Sequence, residues 1–207
     1  MSGKIVVLSG MPASGKRSVT EKLHELNTKY TLFKMHRISG EEPNQDCHDL
    51  NLSEFIDKVK NGDFLQYNES HGKFYGIDKD ELMELLVQDL IPVIQIGRIK
   101  NFYELVQNLI GIDVEIVHVQ LWDYRGKLAE RIVNNYGDRA GDKVSVMVEE
   151  FEDAIELMEG GEKPFSLIIR NDSVERTCNR IINFVEGMPS DCDGYSEFYD
   201  YLKEIKG

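Results

Sequence analysis

The sequence predicts an α/β fold with a mainly parallel sheet flanked by helices. Residues 4–9 (KIVVLS) are a continuous apolar run rich in β-branched residues, the pattern of a strand covered on both faces. Three further runs of that kind follow: IPVIQIG (91–97), VEIVHVQLW (114–122) and FSLIIRND (165–172). Segments with helical spacing separate them, and strands alternating with helices indicate a parallel sheet built from strand–helix–strand units. The 207 residues suit one domain, or a core carrying an inserted subdomain.

Taken in order, residues 15–28 place Val19, Leu23 and Leu26 at helical spacing after the first strand. Residues 34–78 then interrupt the alternation. They hold the polar run SGEEPNQDCHD, a helical pattern over 52–62, and DFLQYNESHGKFYG (63–76). This stretch reads as an inserted subdomain with short antiparallel strands. Helical patterns resume at 79–90, 101–111, 124–135, 143–161 and 174–187. The expected division is a core of 1–33, 79–123 and 163–187, an insert of 34–78, a lid of about 124–162, and a helical tail of 188–207. In the tail, Tyr195, Phe198, Tyr199 and Leu202 fall on one helical face, either docked on the core or offered to a protein partner.

Composition narrows the function classes. The chain is 41% hydrophobic and 29% charged, as in ordinary globular proteins. A formal net charge of −13 argues against nucleic-acid binding, because phosphate backbones attract clustered Lys and Arg. A nucleotide pocket needs only a few local donors and stays compatible with that charge. Cys47, Cys178 and Cys192 are widely spaced, and an odd count with no evident signal peptide predicts reduced thiols in the cytoplasm. The apolar run near the N-terminus is too short for a membrane span.

The chemistry concentrates in GMPASGKRS (10–18), a G-x-x-x-x-G-K loop between a buried strand and a helix. Gly10 and Gly15 permit a loop that Cβ atoms would obstruct. Its N–H groups form a nest for anionic oxygens, and the following helix adds its positive end. Lys16 would reach the β- and γ-phosphates of a nucleoside triphosphate. The position after Lys16 normally carries a hydroxyl for Mg²⁺; here it is Arg17, which has only donors. Adenylate kinases look similar, with a hydroxyl one place later, and Ser18 fills that place. Because Mg²⁺ keeps several waters, one missing ligand need not abolish its binding. Arg17 either points to solvent or lies near the phosphates.

With residues 60–80 added, the chain resembles the guanylate kinases and guanylate-kinase-like domains over roughly residues 4–186. NGDFLQYNESHGKFYGID matches that family's GEFLE…GNYYGTS segment at Gly62, Asp63, Phe64, Leu65, Glu69, Gly72, Tyr75 and Gly76. HRISG resembles its R-x-x-R segment through Arg37, and IRNDS its V-N-D-D segment through Asn171 and Asp172. The resemblance implies a P-loop nucleotide kinase fold, ATP and Mg²⁺ as cofactors, and phosphoryl transfer to GMP, dGMP or a related monophosphate. On that basis Lys16, Arg131 and Arg139 are the candidate catalytic residues, the two arginines flanking a lid. The candidate ATP-binding residues are Gly10, Ala13, Ser14, Gly15, Lys16, Arg17, Ser18, Asn171 and Asp172. Arg37, Gln66, Tyr75, Ile77 and Arg98 are the candidate acceptor-binding residues. The protein ligand of the metal stays open.

Departures from the family pattern gather in the acceptor region. Gln66 stands where the family has a guanine-binding glutamate, and an amide offers one acceptor where a carboxylate offers two. Ile77 replaces a hydroxyl residue, Gly40 the second arginine of the clamp, and Gln95 and Gly97 the two aspartates of a D-x-D. Arg98 and Lys100 follow directly, either restoring charge or lying on the surface. The later lid arginines have no match in DKVSVMVEEFEDA (142–154), which reads as an acidic solvent face. A second expectation is therefore a catalytically weak module that binds nucleotide or a protein partner.

Overall fold

In strand β1 (Gly3–Gly10), alternate side chains enter different cores, which explains why the run is apolar throughout. The computed structural model describes residues 3–38, 45–70, 72–161, 163–188 and 194–206, with only the main chain of 139, 205 and 206. Val6 and Leu8 pack with Val19 and Leu23 of helix α1 (Lys16–Leu26) and with Cys178, Ile181 and Val185 of α7 (Val174–Val185). Ile5 and Val7 pack on the other face with Leu82 of α3 (Lys79–Val87) and Phe102 and Leu105 of α4 (Ile99–Asn108).

The main sheet has the order β2-β7-β1-β8-β9, and each neighbouring pair in it is parallel. Its other members are β2 (Tyr30–Leu32), β7 (Ile91–Gln95), β8 (Val114–Trp122) and β9 (Leu167–Arg170). The predicted α/β class is the observed one. Strand β2 was not legible: it is three residues long at the sheet edge and only Tyr30 is fully buried.

Strands β3 (Met35–Ile38), β4 (Cys47–Leu50), β5 (Phe64–Ser70) and β6 (Lys73–Asp78) build a second sheet of order β4-β3-β6-β5. β5–β6 and β6–β3 are antiparallel, whereas β3–β4 is parallel. Between β4 and β5, α2 (Leu52–Asn61) starts with a reciprocal capping box between Asn51 and Glu54. Asp78 ends β6 and caps α3 by accepting from the Glu81 N–H. Its carboxyl also holds the Lys58 ammonium at 2.6 Å.

A third cluster forms around Trp122, from α5 (Arg125–Tyr136), α6 (Ala140–Glu159) and α8 (Tyr195–Lys206), with a 3₁₀ turn (Gly137–Arg139) joining α5 to α6. Phe198 and Leu202 are buried here, so the tail helix is docked on the core. The face differs from expectation by one residue. Tyr201 stacks on Trp122 with centroids 5.1 Å apart, while Tyr199 is half-buried beneath the Lys203 ammonium. Among the described residues no helix is long and apolar enough to cross a membrane.

Candidate functional site

The carboxyl ends of β1, β7, β8 and β9 point the same way, where open parallel sheets bind ligands. A cleft of about 890 Å³ opens there, lined by the loop after β1, the ends of β7 and β9, and the second sheet. Gly10 takes φ +141° and Gly15 φ +93°; a Cβ on Gly10 would strike the Leu121 carbonyl, and one on Gly15 the Asn171 amide. Ala13 also takes a positive φ, 61°. The first turn of α1 has neither a side-chain cap nor an acidic residue, leaving its N–H groups for an anion. Ser14 is fully buried, and its Oγ has no hydrogen-bond partner among the described residues. A glycine cradle, an uncapped helix start and an orphaned hydroxyl fit a polyphosphate.

Lys16 donates to the main-chain oxygens of Gly10 and, at 3.1 Å, Met11. Burial pulls its ammonium below the ordinary lysine value; Glu150 opposes that shift and Lys143 adds to it. Glu150, on α6, lines the same cleft, and burial pushes its carboxyl up to about 7 against the pull of Lys16 and Arg98. Ser18 lines the cleft and is exposed. Arg17 also lines it but points outward, bound to Glu21 at 2.9 Å and Asp46 at 3.2 Å.

The opposite wall comes from the second sheet. Gln66 and Tyr75 both line the cleft, with Met35, Asn68 and Ser70 beside them. The Gln66 amide donates to Asn68 at 3.2 Å and reaches Glu104 at 3.5 Å. Two sequence expectations do not fit this wall. Ile77 is fully buried in the core with Leu65 and Leu82, because its place in β6 points inward. Arg37 does not line the cleft either; its guanidinium is buried and held by Asp49 on the adjacent strand β4. Gly40 lies outside the described residues.

Arg131 reaches back from α5 to Asp123 at 2.6 Å and to the Ala13 carbonyl at 3.5 Å, spanning β8 and the loop. The side chain of Arg139 is outside the described residues. Arg98 lines the cleft while paired with Glu149. Asn171 spends its side chain on scaffolding: Nδ2 donates to the Ser14 carbonyl and Oδ1 accepts from Thr177 Oγ1 at 3.0 Å. Asp172 lines the cleft and pairs with Arg170 and Arg176. Among the described residues no group of three or more His, Cys, Asp or Glu is arranged to hold a metal ion. One carboxylate with phosphate oxygens and water suffices for Mg²⁺, so the residues present fit ATP·Mg²⁺ better than a protein-only metal centre.

No protein-family model matches the chain. It is 25% identical over 187 residues to a guanylate kinase of Fusobacterium nucleatum, spanning 89% of this chain and 96% of that protein. It is 25% identical over 206 residues to a guanylate kinase of Lactococcus lactis, spanning 97% and 95%. The chain is thus similar to guanylate kinases over most of its length. The crystal structure of guanylate kinase from Anaplasma phagocytophilum overlaps 96% of this chain with a TM-score of 0.61 at 18% identity, which establishes the shared fold.

Two positions where strand ends meet the cleft depart from the expected D-x-D pattern. Gln95 turns its amide to Thr20 at 3.0 Å, and Gly97 leaves an open position filled only by the Glu150 carboxylate. Sequence reading missed Glu150, Lys143 and Asn101 in the cleft wall, having taken 142–154 as a solvent face. The signal was present: Met147, Phe151 and Ala154 are buried at helical spacing, and Glu150 sits within that face.

Proposed function

We propose that this protein transfers the γ-phosphoryl group of ATP to a nucleoside monophosphate, GMP, dGMP or a relative of them. One observation carries the reading: the Lys16 loop and the wall bearing Gln66 and Tyr75 line one cleft. The loop's N–H groups and Lys16 hold the triphosphate, and Mg²⁺, when bound, neutralises charge on the transferring group. Arg131 lies against the loop through Ala13 and neutralises charge from the lid side. Asn171 keeps the loop in shape, and Asp172 borders the cleft near the base. The reaction needs no nucleophilic side chain, since positioning and charge neutralisation supply most of the catalysis.

On the acceptor side, Gln66 and Tyr75 meet the monophosphate, with Arg98 at the junction of the two halves. Gln66 replaces a carboxylate, so discrimination for guanine is relaxed. The experiment is coupled ATP consumption across a panel of nucleoside monophosphates, with Lys16→Ala as control. Turnover that depends on Lys16 supports the reading; its absence on every monophosphate overturns it.

The withdrawal of Arg37 onto Asp49 favours a second reading, a module that binds nucleotide and transfers little. ATP binding without turnover in the same experiment selects it.

A further inference from the structure

The loop has Arg17 where a metal-facing hydroxyl is usual, and neither Gln95 at the end of strand β7 nor Gly97 just beyond it carries a carboxylate. Yet an acidic group stands at that place. The position that a Cβ on Gly97 would occupy lies 3.5 Å from Glu150 Oε1, and no other atom comes within 4 Å of it. Glu150 arrives from α6, more than fifty residues further along the chain than Gly97. It lines the cleft together with Lys16, Ser18 and Gly97.

The other cleft-lining carboxylates Glu149 and Asp172 are tied up, with Arg98 and with Arg170 and Arg176. Glu69 belongs to the β5–β6 wall, away from the loop. Glu150 makes no ion pair at contact distance among the described residues. Its neighbour α6 positions Met147, Phe151 and Ala154 are buried, so packing fixes the direction of its side chain. Lysine in such a loop would reach the β- and γ-phosphates, whose charge a bound Mg²⁺ would neutralise. Glu150, lining the same cleft as Lys16, would supply a carboxylate to a metal held with the phosphates there.

We propose that Glu150 is the protein carboxylate for the Mg²⁺ of bound ATP, delivered by helix α6 on the lid side in place of strand β7. This rests on the ATP reading above. Because the ligand belongs to the lid side, metal-loaded nucleotide would also draw α6 toward the loop.

The test is ATP affinity by titration calorimetry, with Mg²⁺ and with EDTA, for wild type, Glu150→Gln and the exposed control Glu152→Gln. Mn²⁺ paramagnetic resonance of the ATP complex gives an independent reading of the metal. Wild type and Glu152→Gln should bind ATP more tightly with Mg²⁺. Glu150→Gln should keep its metal-free affinity and lose about tenfold or more of the Mg²⁺ gain, a cost typical of disturbing metal coordination. Gly97→Asp on the Glu150→Gln background should return the gain by supplying a carboxylate from the strand.

If Glu150→Gln keeps the whole Mg²⁺ gain, or loses affinity equally in both conditions, the inference is overturned. If wild type binds ATP in neither condition, the nucleotide reading falls first and the inference with it.

Discussion

The side-chain amide of Asn171 donates to the main-chain oxygen of Ser14 at 2.8 Å, tying the end of β9 to the loop after β1. The same side chain accepts from Thr177, so both of its ends are spent inside the protein. Asn171→Ala should destabilise the fold by about 1–3 kcal/mol, the cost of stranding buried polar partners. Asn171→Asp should be worse, since a carboxylate oxygen would face the Ser14 carbonyl. Chemical denaturation checks the order, and ATP affinity should fall with the loop's shape.

Lys16 has a buried ammonium satisfied by main-chain oxygens of the loop. Lys16→Met should lower turnover by about 10²- to 10³-fold, as expected for one preorganised charge-stabilising donor. Its melting temperature should hold or rise, because the substitution removes a desolvated charge. Equal losses of stability and rate would mean that Lys16 is a structural strut only.

The Arg37–Asp49 pair makes the opposite prediction. Its guanidinium is 4% exposed and faces β4 within the second sheet. Asp49→Asn should lower the melting temperature, because it removes the Asp49 counter-charge from a buried cation. The KM for the acceptor should change little. A large KM change at constant stability would assign Arg37 to the cleft instead.

His118 sets a pH limit on stability. It is stacked on Phe102 with centroids 3.7 Å apart, and its Nδ1 lies 2.9 Å from the Pro164 carbonyl. That contact makes Nδ1 the donor, and Nε2 then accepts from Ser9 Oγ at 2.8 Å. Gln120 Oε1 also lies 2.7 Å from Ser9 Oγ, and the single hydroxyl proton serves one of the two acceptors at a time. Burial drives His118 down to about 3 from its ordinary 6.5. The folded state refuses a proton that the unfolded chain takes. Stability is fully present above pH 6.5 and falls progressively toward pH 3, approaching about 1.4 kcal/mol per pH unit. Denaturation of His118→Gln should show a shallower acid slope from a lower starting stability.

The docked tail is part of the core. Phe198 is fully buried against Trp122, with centroids 5.3 Å apart. Phe198→Ala should cost about 3–5 kcal/mol by thermal or chemical denaturation. Little change would return the tail to the role of a displaceable partner-binding segment.

The long elements were legible because each carries its own periodicity. The doubly covered strands 4–9, 91–97 and 114–122 needed no partner to be recognised, and the glycine loop was legible from its spacing and context. β2 and the parallel β3–β4 pairing were not, since strands of three or four residues have too few positions to declare a period. Ile77 and Arg37 stood at sequence positions expected for a binding wall. Neighbouring strands turned one into the core and closed the other on Asp49.

By itself the sequence determined the α/β class and the strand–loop–helix unit around Lys16, because both are local patterns of burial and backbone freedom. Only the tertiary structure decided which side chains meet. Glu150 is separated from Gly97 by more than fifty residues, yet its carboxylate stands where the strand's own is missing. That meeting depends on α6 packing through Met147, Phe151 and Ala154, a relation between elements that no run of adjacent residues encodes.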